Sequence, residues 1–160
     1  MAGDSTGRVK VAIVGSGPAG LSAAARAAQL GLSHVLIEKT DHLSDTIYKY
    51  QKGKHVMATP SNLVLRSDLD FEAGKREVVL GTWDDGTAGH KVNVLYNAEI
   101  ASITGAKGNF SLKTKSGQEV LAETVILAIG TQGNPNLVRC PVGEGSTVQY
   151  QLDDPAEYND

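Results

Sequence analysis

Six consecutive residues near the start of the chain, Gly15-Ser16-Gly17-Pro18-Ala19-Gly20, and one acid, Glu38, have the types and spacing to hold a nucleotide. Glycine at the first position permits a tight turn. The second glycine lets a phosphate approach the backbone, and the third lets a following helix press against a sheet. Free N–H groups at the helix start, with the positive end of its dipole, then hold a pyrophosphate. Glu38 lies 18 positions after Gly20, close to the ~20 at which an acid reaches ribose hydroxyls. Its charge would repel a ribose 2′-phosphate, and Lys39 follows it directly. The bland alternative is a glycine turn that only packs a strand on a helix. Context favours the nucleotide, because the motif follows a strand, opens a helix and precedes the acid.

The elements that must position these residues are legible around them. Val9–Val14 is a short apolar run that ends at glycine, as a strand buried on both faces does. Pro18 suits the first helical turn and Gly31 the C-terminal cap. Leu21, Ala25, Ala28 and Leu32 form an apolar stripe, with Ser22, Arg26 and Gln29 turned away. His34–Glu38 then reads as a second strand, which completes a βαβ unit. Residues 41–70 show no sustained period; a short helix is expected near 43–50, and a longer one over about 71–83. Phe71, Val78, Val79 and Trp83 would be the inner positions of the latter, and Asp84–Gly89 would end it. From 91 to 123 the pattern turns to β. Lys91–Ile103 is rich in β-branched residues, Asn109–Lys115 alternates, and Glu119–Ala122 returns after a Ser-Gly turn. This three-stranded antiparallel meander runs into Thr124–Gly130, which reads as a further strand rejoining the parallel sheet. The expected fold is therefore α/β, a Rossmann-type dinucleotide-binding domain with a meander insert.

Composition excludes several partners. The 160 residues carry a formal net charge of −3 with scattered basic residues, whereas nucleic-acid binding needs clustered Lys and Arg. The basic run Lys49–His55 reads as a solvated loop. No stretch approaches the ~20 apolar residues of a membrane span. The N-terminus lacks the apolar core of a secretory signal, so a cytoplasmic location is expected. The four histidines show no ligand spacing, and no metal site is expected. Cys140 is the single cysteine and reads as incidental, which excludes a redox pair within the chain.

Three stretches together resemble the FAD domain of the pyridine nucleotide-disulphide oxidoreductase family, and its thioredoxin-reductase-like branch in particular. They are Gly15–Gly20 with Glu38, the stretch Asn97-Ala98-Glu99-Ile100-Ala101-Ser102-Ile103, and Thr124–Gly130. The resemblance covers roughly residues 9–135. It implies FAD as the bound dinucleotide and NAD(P)H as the electron donor, held by a domain this chain does not include. It implies that Ile100 lies near the adenine through backbone groups. It also implies that Ala128 and Gly130, in Ala128-Ile129-Gly130 where the family usually has Ala-Thr-Gly, form a tight turn at the cofactor. Thr59, Pro60, Ser61 and Asn62 fall where the family approaches the isoalloxazine ring; as residues alone they are turn formers. The branch that carries a cysteine pair after the second strand is disfavoured, because Asp41–Asp45 stands there.

The family's fold continues beyond this point, so the chain is expected to be a truncated or split piece. Residues 1–8 would be a disordered N-terminus, and 136–160 an irregular tail toward the absent NAD(P)H domain. Expected partners are FAD, that remaining region or a partner subunit, and optionally a second copy of the chain. No residue is placed to act as a catalyst. Two other functions fit the turn: an NAD-binding dehydrogenase or redox sensor, and a non-enzymatic docking module.

Overall fold

In the computed structural model, residues 7–58 and 64–131 are described, together with the single positions Arg139, Gly143 and Tyr150. The expectations for Thr59–Asn62, for Cys140, and for residues 1–6 and most of 136–160 lie outside them.

The first βαβ unit forms where the sequence places it. Strand β1 (Val9–Val14) leads into helix α1 (Pro18–Gln29) and strand β2 (His34–Ile37), which pairs in parallel with β1 from Val11↔His34 to Val14↔Ile37. Gly31 ends α1 at a φ of +66°. Its N–H donates to the Ala28 carbonyl (2.9 Å) and that of Leu32 to Ala27 (3.0 Å), the paired closure that a left-handed glycine permits. The buried face of α1 differs in part from the expected stripe. Gly20, Leu21, Ala24, Ala25 and Ala27 are buried, Ala28 is half-buried and Leu32 is exposed. Ala24 packs in the core with Ile13 and Leu36, and the buried stripe extends to positions 24 and 27. Ser22 is not turned to water either, since its hydroxyl meets that of Ser67 at 3.1 Å.

The middle of the chain supplies α2 (Asp45–Tyr48) and a two-stranded ladder of β3 (His55–Val56) and β4 (Gly74–Lys75). Helix α3 (Arg76–Gly89) and the short strand β5 (Val94–Leu95) follow. Helix α3 starts and ends later than the 71–83 expected. Pairing of Gly74–Lys75 with β3 holds its N-terminus back. Its C-terminal half continues through Asp84–Gly89 because Gly86 sits directly against the buried Leu69 side chain; packing overrides weak propensity there. Val79 and Trp83 are buried as expected, but Val78 is 62% exposed. Phe71 precedes the helix, its ring tilted against Trp83 at 5.5 Å.

Strands β6 (Ile100–Ala106), β7 (Asn109–Thr114) and β8 (Glu119–Leu127) complete one six-stranded sheet of order β5-β2-β1-β8-β7-β6. Two expectations change here. Val94–Leu95 belongs to the parallel part, beside β2, rather than to the meander. Asn97, at a φ of +54°, turns the chain between β5 and β6, a conformation asparagine tolerates. The returning strand and the rejoining strand are also one element. β8 runs antiparallel to β7 through Glu119–Ala122 and parallel to β1 through Ala122–Leu127. No glycine, proline, asparagine or aspartate interrupts 119–127, so nothing breaks it.

Both faces of the parallel strands are covered. Ile13 and Leu36 pack with Leu21, Ala24 and Ala25 of α1 and Val79 and Trp83 of α3. On the opposite face Ala12, Val35 and Ile37 meet Leu112 and Ala122 of the meander and Ala98 before it. Burial on both sides explains the continuous apolar runs of β1 and β2. Among the described residues, no helix is long and apolar enough to cross a membrane.

Candidate functional site

The glycine turn lies at the C-terminal ends of β1, β2 and β8. Gly15 adopts a φ of +98°, and a Cβ on it would come within 2.5 Å of the Ala128 carbonyl oxygen. Its N–H donates to the Ile37 carbonyl (2.8 Å), while the Ala128 N–H donates to that of Val14 (2.8 Å). Gly15 therefore seals three strand ends together, and no larger residue fits. A Cβ on Gly20 would run into the Gly15 carbonyl, so the third glycine lets α1 sit against its own entry turn.

Gly17 is different. It caps α1 in an extended conformation, and nothing in the protein lies within 4 Å of the position its Cβ would take. No side chain caps the helix and no acid stands in its first turn. Pro18 and Ala19 are exposed. Internal packing thus accounts for Gly15 and Gly20 but not for Gly17. An open, uncapped helix start with positive dipole is a place an anionic phosphate fits.

Glu38 is 5% exposed, and both of its carboxylate oxygens accept hydrogen bonds from the protein. Its Oε2 accepts the Ser16 N–H (3.0 Å) and the Ser16 hydroxyl (2.5 Å), and its Oε1 accepts the Thr40 N–H (3.0 Å). The Ser16 Oγ also accepts the Ser44 N–H, and the Ser44 hydroxyl donates to the Ser16 carbonyl, both at 2.9 Å. Ser44 holds a left-handed φ of 57° while 2% exposed. Acid, turn and the loop after β2 are therefore one hydrogen-bonded unit. Ser16 is marked by its place in the glycine motif, whereas Thr40 and Ser44, two small hydroxyls after a strand, carry no distinctive spacing in the sequence.

The remaining expected residues are placed as follows. The stretch before Ile100 docks on the acid: the Ala98 N–H donates to the Glu38 carbonyl (2.8 Å) and that of Asn97 to Thr40 (2.9 Å). Ile100 itself opens β6, half-buried on the meander side of the core. Ala128 is half-buried beside Gly15, and Gly130 is exposed at a φ of +67°. Lys39 is exposed, with its Nζ 3.9 Å from the Asp45 carboxylate. Burial pushes the Asp45 carboxyl up, but Lys49 at 2.9 Å, with His42 and Lys39, outweighs this and holds it below the usual range. Beyond the acid, burial pushes the Tyr96 hydroxyl up, aided by Asp84 and Glu38.

This fold and turn define a dinucleotide-binding domain of the doubly wound class. Residues 12–160 match the pyridine nucleotide-disulphide oxidoreductase family, and the chain belongs to it. That family binds FAD and depends on NAD(P)H. The ferredoxin–NADP reductase of Ignicoccus hospitalis is 29% identical over 147 residues, which are 91% of this chain and 44% of that protein. The ferredoxin–NADP reductase of Gluconobacter oxydans is 30% identical over 120 residues, 75% of this chain and 33% of that one. The chain thus spans less than half the length of these relatives. Among solved structures, bacillithiol disulfide reductase from Bacillus cereus superposes with a TM-score of 0.72 at 20% identity, over 96% of this chain and 49% of its own. Thioredoxin reductase from Lactococcus lactis gives 0.62 at 19%, over 80% and 37%. These two likenesses are of fold.

Proposed function

We propose that this chain is the FAD-binding part of an NAD(P)H-dependent flavoprotein oxidoreductase, whose NAD(P)H-binding region lies outside these 160 residues. The observation that carries the reading is the open space over Gly17 at the uncapped start of α1, beside an acid at the end of β2. In this reading Gly15, Ser16, Gly17, Pro18, Ala19 and Gly20 surround the pyrophosphate, and the α1 N–H groups hold its charge. Glu38 takes the ribose, Lys39 stands at the edge of the site, Ile100 lies toward the adenine, and Ala128 and Gly130 line the turn at the end of β8. The flavin supplies hydride and electron transfer when bound; the protein's part is to bind and orient it. Residues 9–135 would form the domain, with the tail leading toward the rest of a longer protein, a partner subunit or a second copy. The length of the relatives supports this arrangement.

Gly17→Val tests the site. The new side chain meets no protein atom, so the variant should fold normally. It should lose FAD affinity at least ~100-fold, because the methyls occupy the pyrophosphate position. A wild-type chain that takes up NADH but never FAD would instead support a dehydrogenase or sensor. Undiminished FAD binding by the variant would remove the turn from the site.

A further inference from the structure

Helix α3 buries one face and leaves the other bare. Val79, Trp83 and Thr87 are buried, whereas Val78, Gly81, Asp85 and Ala88 are exposed. With 3.6 residues per turn, these four fall at i, i+3, i+7 and i+10 and form one outward stripe. Val78 is 62% exposed, and nothing lies within 4 Å of the position a Cβ on Gly81 would take. Lys75, three residues before Val78, is exposed at the N-cap. The charges on this helix run against its own dipole. Lys75 and Arg76 stand at its positive start and Asp84 and Asp85 lie toward its negative end, with Glu77 alone well placed. Arg76 and Glu77 meet at 3.2 Å, and the Arg76 Nε donates to the Tyr48 carbonyl. Lys75, Asp84 and Asp85 make no ion pair among the described residues. Burial pushes the Asp84 carboxyl up and Asp85 adds to this, opposed only by His42.

We propose that α3 pairs antiparallel with α3 of a second copy of this chain, Val78 of each copy seated over the partner's Gly81 and Lys75 facing the partner's acids. In an antiparallel pair about a twofold axis, facing positions advance in opposite directions. Val78 over the partner's Gly81 therefore brings Lys75, three residues back, opposite the partner's Asp84, three residues on, with the partner's Asp85 next to it. The missing Cβ at Gly81 leaves room for the valine. Each misplaced charge gains a partner of opposite sign, and the two helix dipoles oppose one another. The face complements itself because it carries both halves of each contact, which a twofold axis uses twice and then closes. A foreign partner would have to supply the same charges in the same order. One helix from each side makes a small contact, so the dimer is weak and salt-sensitive. Nothing in this pairing depends on the nucleotide reading of the glycine turn.

Sedimentation equilibrium of the chain over a range of concentrations tests the pairing. A monomer–dimer equilibrium should appear in low salt and shift toward monomer as salt rises. Lys75→Glu and Asp85→Lys should each weaken the dimer at least ~10-fold, and the two together should restore it to within about threefold. Val78→Gln, at an exposed position, should weaken it while circular dichroism shows the fold intact. Thermal unfolding separates the dimer from a role within one chain, because each single charge reversal improves the order of charges along α3 and should raise the Tm of the monomer. Such a rise with no change in mass would confine these charges to the monomer and overturn the proposal. A chain that sediments as monomer at every concentration overturns it too, as does a dimer that none of the three substitutions weakens. A double variant as weak as the singles overturns the facing of Lys75 and the acids.

Discussion

Asp45 shows how a single side chain couples the loop after β2 to pH. It lies at the start of α2 with Lys49 at 2.9 Å, the His42 Nε2 at 3.2 Å and Lys39 at 3.9 Å. Its carboxyl is held below the ordinary 3.8, so the folded protein favours the charged form. The stabilisation is then fully present above that value and is lost as pH falls through the lower, folded value. Asp45→Asn should cost about 0.5–1 kcal/mol near neutral pH, since Asp45 is mostly buried but its cations are exposed. Denaturant midpoints of wild type and variant should converge once the acid is protonated. A constant gap at all pH values would assign Asp45 a packing role instead.

At the scale of elements, α3 is the case where packing and propensity disagree. Gly81 and Gly86 both lie inside it, and a helix ordinarily gains about 1 kcal/mol when glycine becomes alanine. Nothing lies within 4 Å of a Cβ on Gly81, whereas one on Gly86 would enter the Leu69 side chain. Gly81→Ala should therefore stabilise by roughly 0.5–1 kcal/mol. Gly86→Ala should destabilise by about 1–2 kcal/mol through overpacking. The second effect should shrink or reverse in a Leu69→Ala background, where the space is free; thermal unfolding of the four proteins checks the cycle. The same disagreement hides the end of α3 from the sequence. Asp84-Asp85-Gly86 looks like a stop until Leu69 is brought beside it.

For the molecule as a whole, the ligand should be part of the stability. The glycine turn joins the ends of β1, β2 and β8, and both core clusters rest on those strands. A ligand that binds only the folded chain adds RT ln(1 + [L]/Kd), about 2.7 kcal/mol at a hundredfold excess over Kd. For a chain of this length that corresponds to a rise in Tm of roughly 5–10 °C. FAD should produce this shift in wild type and not in Gly17→Val, with the two proteins melting together when no ligand is added. Equal shifts in both would place the ligand elsewhere.

Local signals sufficed for the first βαβ unit. Gly15, Pro18 and Gly31 each constrain their own backbone, the runs of β1 and β2 are apolar because both faces are covered, and Glu38 stands at a fixed distance along a regular unit. The sequence by itself therefore determined the class of fold and the position of the turn. Tertiary structure decided which strands are one, since β8 changes partner at Ala122 without any change in its residues. It also decided which groups hold the Glu38 carboxylate. Ser16 reaches that carboxylate, and Ser44 reaches Ser16, across 22 and 28 residues, and hydroxyls joined by such long-range contacts leave no period or motif along the chain.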